Sequence, residues 1–204
     1  AFSIYLPALF FKLTYLDDHI IILSNQDFLQ KWANFLLAFQ RDVLNVFGGG
    51  GGGYYRPLGT FTLIWDAHWS GINPISYHLT NILLHCAVAC LVYVVLRQIS
   101  KSNKRDKDCN LNGNDGINLT LALIFAVHPL SVSVVAWIPG RGESILALFI
   151  LLAFYFFLAG SRYFILHLFF LLCAFFAKET ALIFPVILGF YHFMHRARLR
   201  PLWK

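Results

Sequence analysis

Residues 77–98 read YHLTNILLHCAVACLVYVVLRQ, a run of 22 residues with a single charge at Arg97. A membrane-spanning helix needs about 20 mostly apolar residues, so this run is long and apolar enough to cross a bilayer. The whole chain has the same character, because 58% of its 204 residues are hydrophobic and only 13% are charged. Soluble domains are roughly 45–50% apolar and about 25% charged. The composition therefore argues against a soluble enzyme, a disordered chain and a disulfide-rich secreted module.

Five further apolar stretches are predicted to belong to the membrane region. They are residues 118–138, 144–159, 163–177, 181–195 and the apolar start 1–13, which we interpret as the truncated end of a span. A soluble helical core would carry charged stripes at the helical period, and these stretches are apolar all round. The sequence therefore predicts an all-α membrane protein with about six transmembrane helices, residues 1–204 forming one transmembrane domain. Because the chain has no initiator Met, we expect it to be a fragment of a longer protein.

Basic residues predict the orientation of these helices. Lys and Arg concentrate in residues 97–107, at Arg162 and in residues 196–204. The predicted spans place all three segments on one side, which the positive-inside rule identifies as cytoplasmic. The opposite, outer side then receives residues 14–76, the turn 139–143 and the Lys178-Glu179 break.

The outer loop, residues 14–76, carries two amphipathic patterns. Residues 27–46 and 57–69 repeat apolar side chains at helical spacing, which predicts helices lying on the membrane surface. The six glycines at 48–53 separate the two patterns and predict a flexible hinge.

Most of the residues with the potential for chemistry fall on the predicted outer side. They are Asp17, Asp18, His19, Arg56, His128, Arg141, Glu143, Lys178 and Glu179. Ionisable groups at membrane depth cost free energy and tend to mark functional sites. Each also has a structural alternative as a helix cap, a headgroup contact, a helix kink or a local ion pair. No metal site is predicted, because the adjacent Asp-Asp-His at 17–19 cannot close a coordination shell alone.

One helix face of the stretch at 77–98 is polar. His78, Asn81 and His85 are spaced i, i+3 and i+7, so they lie on the same side of a helix. We expect them to form hydrogen bonds to neighbouring helices rather than to bind a metal.

Several short motifs occur together in a fixed order. They are the acidic pair at 17–18, Tyr55-Arg56-Pro57-Leu58, HLTNILLH at 78–85, His128-Pro129, VAWI at 135–138 with Gly140-Arg141, and Lys178-Glu179-Thr180 followed by Pro185. Over residues 15–195 this order resembles the N-terminal membrane part of the transmembrane and tetratricopeptide-repeat protein family. Eukaryotic members of that family are protein O-mannosyltransferases of the endoplasmic reticulum. They are glycosyltransferases of the GT-C type, which use polyprenyl-phosphate sugars as donors.

The resemblance implies a GT-C-like fold, with a C-terminal repeat domain beyond Lys204. It implies a membrane glycosyltransferase that moves a sugar, mannose or another hexose, from a polyprenyl-phosphate donor to a protein or other hydroxyl acceptor. The implied partners are the lipid-linked sugar, the acceptor and membrane lipids, and no nucleic acid. No cofactor is firmly implied, and a divalent metal is compatible with the scheme but not required. The implied location is the endoplasmic reticulum membrane of a eukaryote or the inner membrane of a bacterium.

The resemblance also implies roles for the singled-out residues. Asp17 or Asp18 would act as general base, with Asp17 favoured and the second carboxylate orienting the acceptor or the first. Arg56, Arg141 and Lys178 would bind the donor phosphate. The supporting or sugar-binding residues would be His128, Glu143, Glu179 and His19. The fragment alone is expected to be inactive, because half of the expected bundle is missing.

Two other functions remain open from the sequence. A transporter of a lipid-linked or anionic substrate would also need cations near the membrane, but it should carry ionisable residues near the midplane and often an internal repeat. A catalytically silent scaffold that presents a repeat domain would keep the spans without needing the acidic pair.

Overall fold

The computed structural model describes residues 2–15, 17–40, 55–102 and 111–194, with the side chains of 102 and 111–114 excepted. All regular structure in these ranges is helical, as the sequence predicts. Several sequence features lie outside the described residues: the glycines at 48–53, the amphipathic pattern after residue 40, the basic residues at 103–107 and the basic end at 196–204.

Ten α-helices occupy the described ranges. They are α1 (Phe2–Tyr5), α2 (Gln26–Leu29), α3 (Asn34–Ala38), α4 (Pro57–Ser70), α5 (Pro74–Ser102), α6 (Leu111–Val127), α7 (Ser131–Ala136), α8 (Arg141–Ala159), α9 (Phe164–Ala177) and α10 (Phe184–Met194). Shorter turns connect them: 3-10 helices at Leu6–Phe10, Ile138–Gly140, Ser161–Tyr163 and Glu179–Ile183, and a π-helical turn at His19–Leu23.

Two helical stretches of the described residues are long and apolar enough to cross a membrane. They are Pro74–Lys101, of 28 residues, and Ile138–Ala159, of 22 residues. At 1.5 Å per residue these extend about 42 and 33 Å, against a hydrocarbon core of about 30 Å. Three other apolar helices are shorter, at Asp115–Val127, Ser161–Ala177 and Glu179–Met194. The predicted number of six spans is therefore not confirmed.

The predicted span 118–138 is divided in the structure. Helix α6 ends at Val127 and α7 begins at Ser131, with His128-Pro129 between them. Proline lacks the backbone N–H that would continue the ladder, and its ring clashes with the preceding turn. The apolar start is divided for a similar reason, because Pro7 lies in a 3-10 helix directly after the four residues of α1.

The loop before α5 also differs in part from its prediction. The single helix predicted over residues 27–46 is wrong over the described residues, where α2 and α3 are separate helices of four and five residues. The helix predicted over residues 57–69 is confirmed as α4, which starts with Pro57 in the first turn. Proline suits that position, because its missing N–H would have no partner there.

Helix α4 buries part of the apolar face that the sequence predicts for it, which is formed by Phe61, Ile64, Trp65 and Trp69. Ile64 is buried, whereas Trp65 and Trp69 are 47% and 75% exposed. Ile64 packs with Leu63, Ala67 and residues of the first loop in one apolar cluster.

Helix α5 is the central element. It packs against α4, α6 and α8, and α8 packs in turn against α9. The polar face predicted on α5 contacts two neighbouring segments. Asn81 Nδ2 donates a hydrogen bond to the backbone oxygen of Trp137 at 3.0 Å, and His85 Nε2 lies 3.0 Å from the backbone oxygen of Ala126. These interhelical contacts confirm the prediction for Asn81 and His85. They hold the broken segment between α6 and α8 against α5.

Candidate functional site

The acidic pair lies in a short helical segment after the first apolar stretch, and its two members have different environments. Asp18 is 1% exposed, and its Oδ2 accepts hydrogen bonds from Thr14 N at 2.8 Å and from Thr14 Oγ1 at 2.9 Å. The other oxygen, Oδ1, is buried and has no hydrogen-bond partner. Asp17 is half-buried, whereas Asp18 is enclosed.

The enclosed carboxylate lies beside the polar start of α5. His78 is 1% exposed, and neither of its ring nitrogens has a hydrogen-bond partner. Its ring makes an edge contact with Phe11 at 6.2 Å between centroids, and the charges of Asp18 and Arg141 are near enough to act on it. The first segment runs antiparallel to α5, since Tyr5 contacts His85 and Phe11 contacts His78. This path brings Asp18 to the beginning of α5.

A buried ion pair joins the helices next to this point. Arg141, the first residue of α8, and Asp66 on α4 are each 2% exposed, with Arg141 Nη1 2.6 Å from Asp66 Oδ2. Asp66 Oδ1 accepts a 2.5 Å hydrogen bond from Thr80 Oγ1 on α5. Arg141 Nη2 also donates to the Tyr77 backbone oxygen at 3.0 Å. One ion pair thus ties α4, α5 and α8 together.

The ion pair carries a desolvation cost. Burial raises the pKa of Asp66 above its usual range, although the charge of Arg141 and the hydrogen bonds from Thr80 and Arg141 act in the opposite direction. Buried charges persist only when they are paired and hydrogen-bonded. The guanidinium of Arg141 donates hydrogen bonds to Asp66, Tyr77 and Ile138, which hold it in the protein interior.

Four other charged residues meet at the ends of α4, α8 and α9, and we call them the charge cluster: Arg56, Glu143, Lys178 and Glu179. Arg56 directs two nitrogens at the two oxygens of Glu179, with Nε–Oε2 at 3.0 Å and Nη2–Oε1 at 2.5 Å. Lys178 Nζ donates to Glu143 Oε1. Since Lys178 and Glu179 are adjacent in the chain, the two ion pairs lie side by side.

The acids and the cations of the cluster are exposed to different extents. The side chains of Arg56 and Lys178 are 28% and 18% exposed, whereas those of Glu179 and Glu143 are 49% and 48% exposed. The hydrogen bond from Arg56 is the main reason that the pKa of Glu179 lies below its usual range. The carboxylate of Glu179 is therefore ionised at neutral pH, and each acid is the more exposed member of its ion pair.

The two predicted supporting histidines lie in other surroundings. His128 is exposed at the break after α6, where its Nδ1 accepts a hydrogen bond from Leu130 N at 3.2 Å. His19 is exposed, and its ring lies 5.8 Å from that of Tyr15. Both histidines contact residues of their own segments.

An apolar cavity of about 540 Å³ lies between α5, the α6–α7 region and α8. Its lining is mostly Val, Leu, Ile and Phe, with His85, Ser131, Glu143 and Ser144 as polar members. Glu143 therefore belongs both to the charge cluster and to the cavity wall. Within the described residues no group of three or more His, Cys, Asp or Glu side chains is arranged to hold a metal ion.

Asp66 is the site residue that the sequence analysis missed. A signal was present, because Asp66 is the only Asp, Glu, Lys or Arg between Arg56 and Arg97. A carboxylate in such an apolar stretch must find a partner if its face is buried. Its partner, Arg141, is 75 residues away, so the sequence pattern alone does not identify it.

The described residues define an all-helical protein with two membrane-length helices and charged residues gathered near helix ends. Human protein O-mannosyl-transferase TMTC1 is 37% identical over 101 residues, which is 49% of this chain and 10% of that protein. TMTC2 of Mus musculus is 34% identical over 155 residues, 74% of the chain and 17% of that protein. Tmtc1 of Drosophila melanogaster is 30% identical over 201 residues, 93% of the chain and 21% of that protein.

These comparisons confirm the resemblance that the motifs predict: the curated homologues of the chain are the protein O-mannosyl-transferases of the transmembrane and tetratricopeptide-repeat family. The chain spans only about a tenth to a fifth of the length of these relatives. No protein-family model and no solved structure matches it. Together with the two apolar helices, the relatives indicate a membrane location.

Proposed function

We propose that this chain is the substrate-binding membrane segment of a glycosyltransferase that transfers mannose from a polyprenyl-phosphate donor to a protein hydroxyl group. The observation that carries the proposal is the set of homologues, which are named protein O-mannosyl-transferases and match up to 93% of the chain. A GT-C arrangement of about six spans, a C-terminal repeat domain and an endoplasmic reticulum or bacterial inner membrane location belong to the same proposal.

The acidic pair is the proposed source of the general base. The acceptor hydroxyl loses its proton to a carboxylate while its oxygen bonds to the anomeric carbon, and the phosphate leaves with the electron pair of the broken carbon–oxygen bond. A base must be within hydrogen-bond reach of that proton. The half-buried Asp17 meets this requirement better than Asp18, whose Oδ2 is bound to Thr14. Asp18 is then the group that positions the loop and orients the acceptor.

The cations of the charge cluster are the proposed binding groups for the donor phosphate. Negative charge grows on the phosphate as the bond to the sugar breaks, and cations that bind it more strongly in the transition state lower the barrier. Arg56 presents a bidentate fork and Lys178 a point charge, both partly accessible. Arg141 is enclosed with Asp66, so we assign it to positioning α8 rather than to direct contact with phosphate.

The proposed function is tested by sugar transfer with the full-length protein in detergent. The donors are polyprenyl-phosphate mannose, other polyprenyl-phosphate hexoses and a nucleotide-linked mannose, each with a Ser/Thr-rich protein acceptor. The proposal predicts transfer from the polyprenyl-phosphate mannose and a raised donor KM in Arg56→Gln and Lys178→Gln. Transfer from the nucleotide sugar alone would refute the donor class, and no transfer from any donor would favour a scaffold.

A further inference from the structure

The two ion pairs of the charge cluster occupy the groups that a phosphate would need. Arg56 offers its fork to both oxygens of Glu179, with Nε–Oε2 at 3.0 Å and Nη2–Oε1 at 2.5 Å. Arginine binds carboxylate and phosphate oxygens with this same bidentate geometry. A phosphate that binds Arg56 in this way must therefore replace the Glu179 carboxylate. At Lys178 the Glu143 carboxylate occupies one of the three ammonium donors, so a phosphate there competes with Glu143 for the same positive charge.

The exposure of the four side chains indicates which partner can leave. The cations are the less exposed members, at 28% for Arg56 and 18% for Lys178, and the acids are about half exposed. A carboxylate in that position can rotate into solvent and be hydrated without opening the fold. An anion that approaches from solvent meets the more exposed acids first, and each cation loses one competing carboxylate when its acid moves.

The charges of the cluster determine how strongly a phosphate can bind in place of a carboxylate. In each of the two ion pairs a carboxylate offsets charge on its cation, so an anion gains less attraction from that cation while the carboxylate stays in place. Replacing one carboxylate by a phosphate exchanges one anion for another on the same cation. The binding free energy of the phosphate is then the difference between the free energies of the cation–phosphate pair and the cation–carboxylate pair.

The surroundings of Glu143 indicate a second property of the ligand, an apolar chain. Its side chain lines the apolar cavity of about 540 Å³ and also pairs with Lys178. Lys178 is therefore paired with a residue of the apolar cavity wall. A molecule with an anionic head and an apolar chain fits that combination better than a free phosphate does.

We propose that Glu143 and Glu179 are displaceable counter-ions, which occupy Lys178 and Arg56 until the phosphate of a lipid-linked ligand takes their place. This inference rests on the proposed phosphate site of the glycosyltransferase, and it adds that the two acids set the affinity of that site. Neutralising either acid should tighten the binding of phosphate. If the acids instead held the cations in the geometry that binds phosphate, the same substitutions would weaken phosphate binding.

The test measures binding directly and does not depend on catalysis. Radiolabelled farnesyl phosphate is titrated against the full-length protein in detergent by equilibrium dialysis, with farnesol as the uncharged ligand and inorganic phosphate as the ligand without an apolar chain. The variants are Glu179→Gln, Glu143→Gln and the double variant. The matched control is Asp115→Asn, which removes the exposed ion pair with Arg97 at 3.3 Å, outside the cluster. Thermal unfolding of each variant checks that the fold is intact.

The proposal predicts that each single Glu→Gln substitution lowers the Kd for farnesyl phosphate by roughly 1.5- to 5-fold, the range that an exposed ion pair supports. The double variant should bind tighter still, while Asp115→Asn leaves the Kd unchanged. Farnesol should bind every variant alike, and inorganic phosphate should bind more weakly than farnesyl phosphate. A raised or unchanged Kd in the Glu→Gln variants, or no binding of farnesyl phosphate to any form, would overturn the inference.

These outcomes also separate the inference from the proposed function. Tighter binding in a protein that transfers no sugar would support the displaceable acids and reject the enzyme. If the protein transfers sugar from polyprenyl-phosphate mannose but Glu179→Gln binds farnesyl phosphate more weakly, the result would support the enzyme and reject the displaceable acids.

Discussion

Removing Asp66 should destabilise the protein more than any surface charge change. Asp66 and Arg141 are each 2% exposed and 2.6 Å apart. The substitution Asp66→Ala leaves the guanidinium buried without its counter-charge, and breaking a buried pair in this way costs about 3–5 kcal/mol. It also leaves Thr80 Oγ1 without its acceptor and removes the link from α4 to α5 and α8.

The assay is reversible denaturant unfolding of the full-length protein in detergent, followed by tryptophan fluorescence. Arg141→Met and the double variant Asp66→Leu/Arg141→Met complete a double-mutant cycle. Burial raises the pKa of Asp66, because desolvation disfavours the ionised carboxylate. Replacing a buried ion pair by apolar side chains of similar volume is often neutral or stabilising. The double variant should therefore be far less destabilised than the sum of the single changes.

The exposed pair Arg97–Asp115 provides the control, because its loss should cost only about 0.2–1 kcal/mol. A loss below about 1 kcal/mol for Asp66→Ala, or additive effects in the cycle, would refute the reasoning that this pair joins the three helices.

Three further predictions concern the backbone turn before α8, the polar face of α5 and the pH dependence of the charge cluster. A Cβ at Gly140 would lie 3.0 Å from backbone atoms of residues 133 and 134, so Gly140→Ala should lower the free energy of unfolding by about 1–3 kcal/mol. A Cβ at Gly142 would meet nothing within 4 Å, so Gly142→Ala should be neutral or stabilising in the same unfolding assay. Asn81→Leu removes the donor to the Val135, Trp137 and Ile138 oxygens and should cost about 1–3 kcal/mol; an unchanged unfolding midpoint would contradict this. Because the hydrogen bond from Arg56 lowers the pKa of Glu179, their link stabilises the fold above about pH 4.3, the ordinary glutamate pKa, and this contribution is lost as the pH falls through the lowered pKa. The midpoint difference between wild type and Glu179→Gln should therefore vanish in acid, and a difference that grows in acid would refute the link.

The sequence predicts the long apolar helices well, because their length and composition are local properties. The stretch predicted at 77–98 lies within α5, which the structure extends to Pro74–Ser102. The failures occur where a local signal competes with the apolar pattern. His128-Pro129 interrupts one predicted span, and residues 27–40 form two short helices in place of one long helix.

The charged residues of the site could be identified from the sequence, but their pairing could not. From the sequence, a local ion pair within Arg141–Glu143 or within Lys178–Glu179 is one structural alternative to a functional role. The structure pairs these residues with distant ones: Arg141 with Asp66, Lys178 with Glu143, and Glu179 with Arg56. Such pairing depends on how the ends of α4, α8 and α9 meet. No spacing rule within one segment contains that information.

The most direct test of the central claim compares Asp17→Asn with Asp18→Asn in transfer from polyprenyl-phosphate mannose by the full-length protein. The account predicts that Asp17→Asn lowers kcat at least ~100-fold with its unfolding midpoint unchanged, as removal of a general base should. Asp18→Asn, whose carboxylate is bound to Thr14, should lower the unfolding midpoint and reduce kcat less. Undiminished transfer by both variants would contradict the assignment of the acidic pair to catalysis, and a larger kcat loss in a fully stable Asp18→Asn would reverse the assignment of the base.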